Sequence, residues 1–108
     1  LSLVLREKVQ EALPDFARAV ELAPDNYLFR YHLANARLAL QSFREAAQEF
    51  KAVIALNPEH ARSYLGLGQA YGELGDNEQA RQCFVKAKEV ATEDTDRQLA
   101  DQLLASLP

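Results

Sequence analysis

Apolar residues fall along this chain in steps of three and four. In residues 27–40, Leu33, Ala36 and Leu40 recur at that spacing. In residues 43–56, Phe43, Ala46, Ala47, Phe50, Val53 and Ile54 do the same. A period of 3.6 residues gathers such positions on one face of an α-helix. Turn chemistry marks the boundaries. Ser42 followed by Glu45 reads as a capping box that opens a helix. Pro58 ends that helix and starts a link. Gly75 suits the left-handed conformation that stops a helix, and Asp76 with Gln79 opens the next one. Links of a few residues between such helices force antiparallel pairs.

The pattern also repeats at long range. Ala12, Ala46 and Ala80 are 34 residues apart, and so are Phe16, Phe50 and Phe84. LAPDN at 22–26 returns as LNPEH at 56–60, again 34 residues on. A fixed period of this length marks an array of stacked units.

The array resembles the tetratricopeptide repeat. Tyr64, Leu67, Gly68 and Tyr71 match that family's first-helix signature, with tyrosine where tryptophan is usual. Ala80 and Phe84 match the second helix. Residues 61–94 form the best copy, although Thr92 stands in place of proline. Residues 27–60 form a weaker copy. They keep Leu33, Ala46, Phe50 and Pro58, but Ala34 replaces the glycine and Arg37 the aromatic. Residues 1–26 read as a partial or atypical first repeat with Ala12, Phe16, Ala19 and Pro24. The resemblance implies an all-α fold in one domain: a right-handed α-α superhelix of stacked antiparallel helix pairs, a solenoid of about six to seven helices.

Two places depart from the repeat. Pro14 falls inside a second helix, where it removes a hydrogen bond and crowds the preceding turn. Helical phase nevertheless runs across it from Leu5 to Ala19. The sequence predicts either one kinked helix from about Ser2 to Leu22 or a fresh helix starting at Pro14. The second departure is the tail, 95–108, where Leu99, Leu103 and Leu107 form one apolar stripe. It is expected to be a C-terminal capping helix over the last open face of the stack.

All four glycines lie at 66, 68, 72 and 75. Gly68 and Ala34 share the repeat position that, in this family, lets two paired helices approach closely. Gly66 and Gly72 match no signature position and lie near the face that lines the family's groove. They are either tolerated there or leave room for a ligand's backbone.

Composition narrows the function. The formal net charge of −4 disfavours nucleic acid, whose phosphates need a surplus of Lys and Arg, and equally a basic membrane-surface helix. No apolar run approaches the roughly 18 residues of a membrane span. The one cysteine, Cys83, excludes an intrachain disulfide and suits a reducing compartment, with the cytoplasm as the default location. The chain starts at Leu1 and has no methionine, so it is expected to be a piece of a longer protein or a processed form.

Catalytic and cofactor chemistry finds no foothold in the sequence. His32 and His60 lack cysteine or histidine at metal-ligand spacing. Cys83 beside Phe84 reads as a packed thiol. The glycines of 66–75 follow no strand, so they do not make a dinucleotide site. No enzymatic activity, cofactor or metal is expected.

What the resemblance implies is a concave groove lined by the first helices and binding a peptide or protein segment. By repeat position the lining is Leu28, Tyr31, Asn35 and Leu38 from one unit and Arg62, Leu65, Gln69 and Glu73 from the next. Tyr31 and Arg62 are expected to be exposed, with Arg62 the only base in the lining. The family's co-chaperones grip a terminal carboxylate with Lys, Arg and Asn. Asn35 and Arg62 suit that clamp, but Tyr31 stands where lysine is needed and Gly66 where arginine is, so chaperone-tail binding is not expected. The alternative is a structural element of a larger protein that self-associates as a homodimer through its open N-terminal face.

Overall fold

The computed structural model describes residues 2–108. Six helices account for nearly all of them: α1 (Leu3–Leu22), α2 (Tyr27–Ala39), α3 (Phe43–Leu56), α4 (Ala61–Glu73), α5 (Asn77–Val90) and α6 (Asp94–Ser106). Each link spans only a few residues, so consecutive helices pack side by side.

Helix α1 runs unbroken through Pro14. The missing N–H forfeits one bond, to the carbonyl of Gln10. Phase is kept because Val9, Ala12, Leu13, Phe16, Ala17, Ala19 and Val20 are partly or fully covered while Pro14 itself is exposed. The Ser2 hydroxyl starts the helix by accepting from the Leu5 N–H at 3.2 Å.

The links repeat as faithfully as the helices. Helix α4 ends in a Schellman turn: Gly75 N–H donates to the Gly72 carbonyl and Asp76 N–H to that of Tyr71, with Gly75 at φ 87°. One repeat earlier, Gln41 donates to Leu38 and Ser42 to Arg37, and Gln41 takes φ 63° without being glycine. The capping boxes differ. Asp76 Oδ1 accepts from the Gln79 N–H at 3.2 Å, but Ser42 makes no side-chain cap bond. Their backbones match, at ψ 76° and ψ 69°. The longer aspartate side chain spans what the serine hydroxyl does not.

The backbones of α2 and α4 come within 8 Å, as do those of α4 and α6, whereas the backbones of α1, α3 and α5 stay farther than that from one another among the described residues. The layer of first helices is therefore closed up and the layer of second helices splayed. That difference bends the stack around α2, α4 and α6.

Three phenylalanines hold the layers together. Phe50 on α3 is wholly buried with Ala34 of its own pair, and a Cβ placed on Gly66 of the next pair would come within 2.7 Å of three of its ring carbons. Phe84 on α5 repeats the arrangement. A Cβ on Gly68 would come within 3.0 Å of three of its ring carbons, and Ala100 of α6 shares its cluster. Phe16 on α1 meets His32 instead, with ring centroids 6.2 Å apart. The partner in the following helix is always sixteen residues on: 32, 66 and 100. Gly66 is thus a close-packing position, buried under Phe50, and neither a merely tolerated glycine nor an opening for a ligand. Gly72 has only Ala80 at 4.0 Å from such a Cβ.

Helix α6 continues this register. Ala100 is fully buried, and Leu103, Leu104 and Leu107 pack against the same cluster. The apolar stripe is therefore shifted from the expected one. Leu99 remains 41% exposed and faces the concave side.

Candidate binding groove

Because first helices lie side by side, residues at matching positions on α2, α4 and α6 face one concavity. Two hollows occupy it. The larger, about 650 Å³, lies toward the C-terminal ends of these helices and is lined by Leu38, Phe43, Gly72, Glu73, Leu103 and Leu107 among others. The smaller, about 290 Å³, includes Tyr31, Asn35, Arg62, Leu99 and Asp96. Gln69 lines both, so the two hollows adjoin at its side chain on α4.

Seven of the eight expected groove residues border these hollows, and the structure alters the part several can play. Leu28 is exposed at the start of α2 but outside both hollows. Leu65 is only 4% exposed and packs with Ala80, Phe84 and Ala87, so it belongs mainly to the core. Tyr31 is half-buried where exposure was expected. Its ring lies 4.8 Å edge-on to His60 and 6.2 Å from Phe50. Arg62 is exposed but engaged: Nε lies 3.4 Å from Asp96 Oδ1 and Nη2 3.8 Å from Glu93 Oε2. Asn35 and Glu73 are exposed, and Gln69 and Leu38 half-exposed. Of these, the polar side chains of Asn35, Gln69 and Glu73 make no hydrogen bond or ion pair among the described residues. The place where a carboxylate clamp needs arginine is Gly66, sealed under Phe50.

Residues from α6 were not legible as groove lining, because the tail lacks the repeat signature. The shared sixteen-residue step from Phe84 to Ala100 is the signal that places α6 in the inner layer.

Two other groups carry chemistry. His60 is half-buried between α2 and α4, beside Tyr27 and Tyr31, with Nδ1 2.7 Å from the hydroxyl of the fully buried Ser63. Burial, aided by Arg62 and opposed by Asp96, holds its pKa below the usual histidine value. Cys83 is buried in the core, and burial pushes its thiol up to about 11. A thiol in that state is a packing group and a poor nucleophile. Among the described residues, no helix is long and apolar enough to cross a membrane.

The family pattern described as "Tetratricopeptide repeat" matches residues 1–43 and 31–91. This chain belongs to the tetratricopeptide-repeat family. Its pairs stack as the right-handed α-α superhelix of that family, a protein-interaction scaffold. It is 33% identical over 81 residues to the "Inactive TPR repeat-containing thioredoxin TTL3" of Arabidopsis thaliana, covering 73% of this chain and 12% of that protein. It is 28% identical over 79 residues to the "Hsp70-Hsp90 organizing protein" of Triticum aestivum, covering 73% of this chain and 14% of that one. The chain thus spans about an eighth of the length of these relatives. Among solved structures, "YrrB: a TPR protein with an unusual peptide-binding site" superposes with a TM-score of 0.81 at 29% identity, over 93% of this chain and 50% of that one.

Proposed function

We propose that this module is a non-enzymatic scaffold that holds a peptide or protein segment in the groove between α2, α4 and α6. The observation that carries the reading is the two hollows adjoining at Gln69 on α4, bordered by Asn35, Gln69 and Glu73, which have no partner of their own among the described residues. Asn35 and Gln69 occupy equivalent positions on α2 and α4 and can hydrogen-bond the backbone of an extended segment. YrrB, similar in fold and sequence, is described as having a peptide-binding site.

The test is selection of peptides from a random displayed 12-residue library on the intact chain, followed by affinity measurement. Asn35→Ala and Gln69→Ala are expected to weaken the selected peptides, by about thirtyfold if either is a central contact. Glu21→Ala, exposed on α1, is expected to leave affinity unchanged. Tyr31→Ala is a poor probe because it also strips cover from Phe50 and His60. Equal binding by both groove variants and wild type rejects the groove.

One observation favours self-association as a second reading. Among the described residues helix α1 packs only on α2, and Leu3, Val4, Leu5 and Leu22 are 73%, 62%, 50% and 74% exposed. Sedimentation of wild type against a Leu3→Ser/Leu5→Ser variant tests it. A dimer lost in the variant supports this reading, and a wild-type monomer removes it.

A further inference from the structure

We infer that the groove selects a cationic amphipathic segment, one with bulky apolar side chains and a Lys or Arg beside them. The inference rests on the groove reading above and adds the chemistry of the occupant.

The charges around the groove decide it. Its lining carries one base, Arg62, and two acids, Glu73 and Asp96. Arg62 is already matched by Asp96 and by Glu93 at the rim. An incoming carboxylate therefore finds no free cation among the residues that line the two hollows. Glu73 is exposed and lacks any ion pair or hydrogen bond among the described residues. It sits in the last turn of α4, where the helix dipole is already negative and no base offsets it. Helix α6 ends at the same hollow, also without a base in its last turn, while Arg37 in the last turn of α2 lies outside the hollow's lining. The larger hollow thus combines an electronegative rim with an apolar wall of Leu38, Phe43, Leu103 and Leu107. Gly72 lines the same hollow without a side chain of its own to fill it. An apolar side chain fits the wall, and a neighbouring Lys or Arg neutralises Glu73.

The displayed-library selection tests this by composition and by charge exchange. The selected peptides are expected to be enriched in Lys or Arg within a few positions of Leu, Ile or Phe. Glu73→Gln should weaken them about two- to fivefold, the range of an exposed ion pair, and added salt should weaken the wild type but not the variant. Selection on Glu73→Arg should return Asp or Glu in place of the base. Peptides that are acidic or uncharged, insensitive to Glu73→Gln and still weakened by Gln69→Ala, overturn the cationic specificity and leave the groove standing. Peptides insensitive to Asn35→Ala and Gln69→Ala, or no peptides at all, overturn both. A dimer that Gln69→Ala dissociates makes a second copy the occupant and likewise overturns the proposal.

Discussion

Residues 27–60 and 61–94 solve one packing problem in two mirrored ways. Each copy wedges a phenylalanine between its own first helix and the first helix of the next unit. Phe50 has Ala34 on the inner side and Gly66 on the outer; Phe84 has Gly68 on the inner side and Ala100 on the outer. A ring that overlaps the Cβ position of a glycine must stand nearer to it than to any real alanine Cβ. Phe50 therefore leans out toward the next pair, and Phe84 leans in toward its own. The room for the ring is common to the two copies, while the missing methyl decides which contact is tight. Phe16 shows the loose extreme, stacked on exposed His32 and only partly buried.

The sharpest way to break this comparison is to delete the rings. Phe50→Ala is expected to cost about 3–5 kcal/mol, the range for a large buried aromatic, and Phe16→Ala markedly less because its ring is already part-exposed. Urea unfolding of both variants checks this, and equal losses would place the two joints on the same footing. Next comes the missing methyl. Gly66→Ala should cost about 1–3 kcal/mol by overpacking against Phe50. The double change Ala34→Gly/Gly66→Ala should restore part of that by letting the ring lean the other way. Gly72→Ala, whose Cβ would meet only Ala80 at an ordinary 4.0 Å, should be neutral or stabilising. Thermal melts separate these outcomes, and a double variant no better than Gly66→Ala refutes the lean.

The turns give a smaller contrast. Gln41→Gly should raise stability by up to about 1 kcal/mol, since Gln41 is held at positive φ, whereas Gly75→Ala should lower it by about 1–2 kcal/mol. The smallest effect is the pH response of His60. Its folded pKa lies below the unfolded value, so the unfolded chain takes the proton first. The contribution is fully present above about pH 6.5 and is lost as pH falls toward the lowered folded value. The stability gap between wild type and His60→Asn should therefore shift between pH 7.5 and 5.5; a constant gap excludes the linkage.

The sequence made the helix pairs legible because period, turn residues and the spacing of Phe16, Phe50 and Phe84 all pointed the same way. Repeat position also picked out seven residues that line the two hollows. It could not separate Leu65, whose side chain turns into the core, from Gln69, which faces the hollow. Nor could it show that Tyr31 is wedged against His60 or that Arg62 pairs with Asp96, since both depend on contacts between units. Gly66 was misjudged because its constraint comes from a ring sixteen residues earlier and not from its own helix.

The shared rings have a consequence for how the stack comes apart. In a linear array, stability divides into a term for each unit and a coupling term for each pair of neighbours. Here one side chain contributes to both, so the two cannot be weakened separately. Unfolding α6 would uncover Phe84, which also props α4 against α5. A fraying end would then loosen the pair behind it before any link is broken. The array should melt as a single cooperative body from α2 to α6, with α1, whose joint closes on a half-exposed ring, as the segment that lets go first.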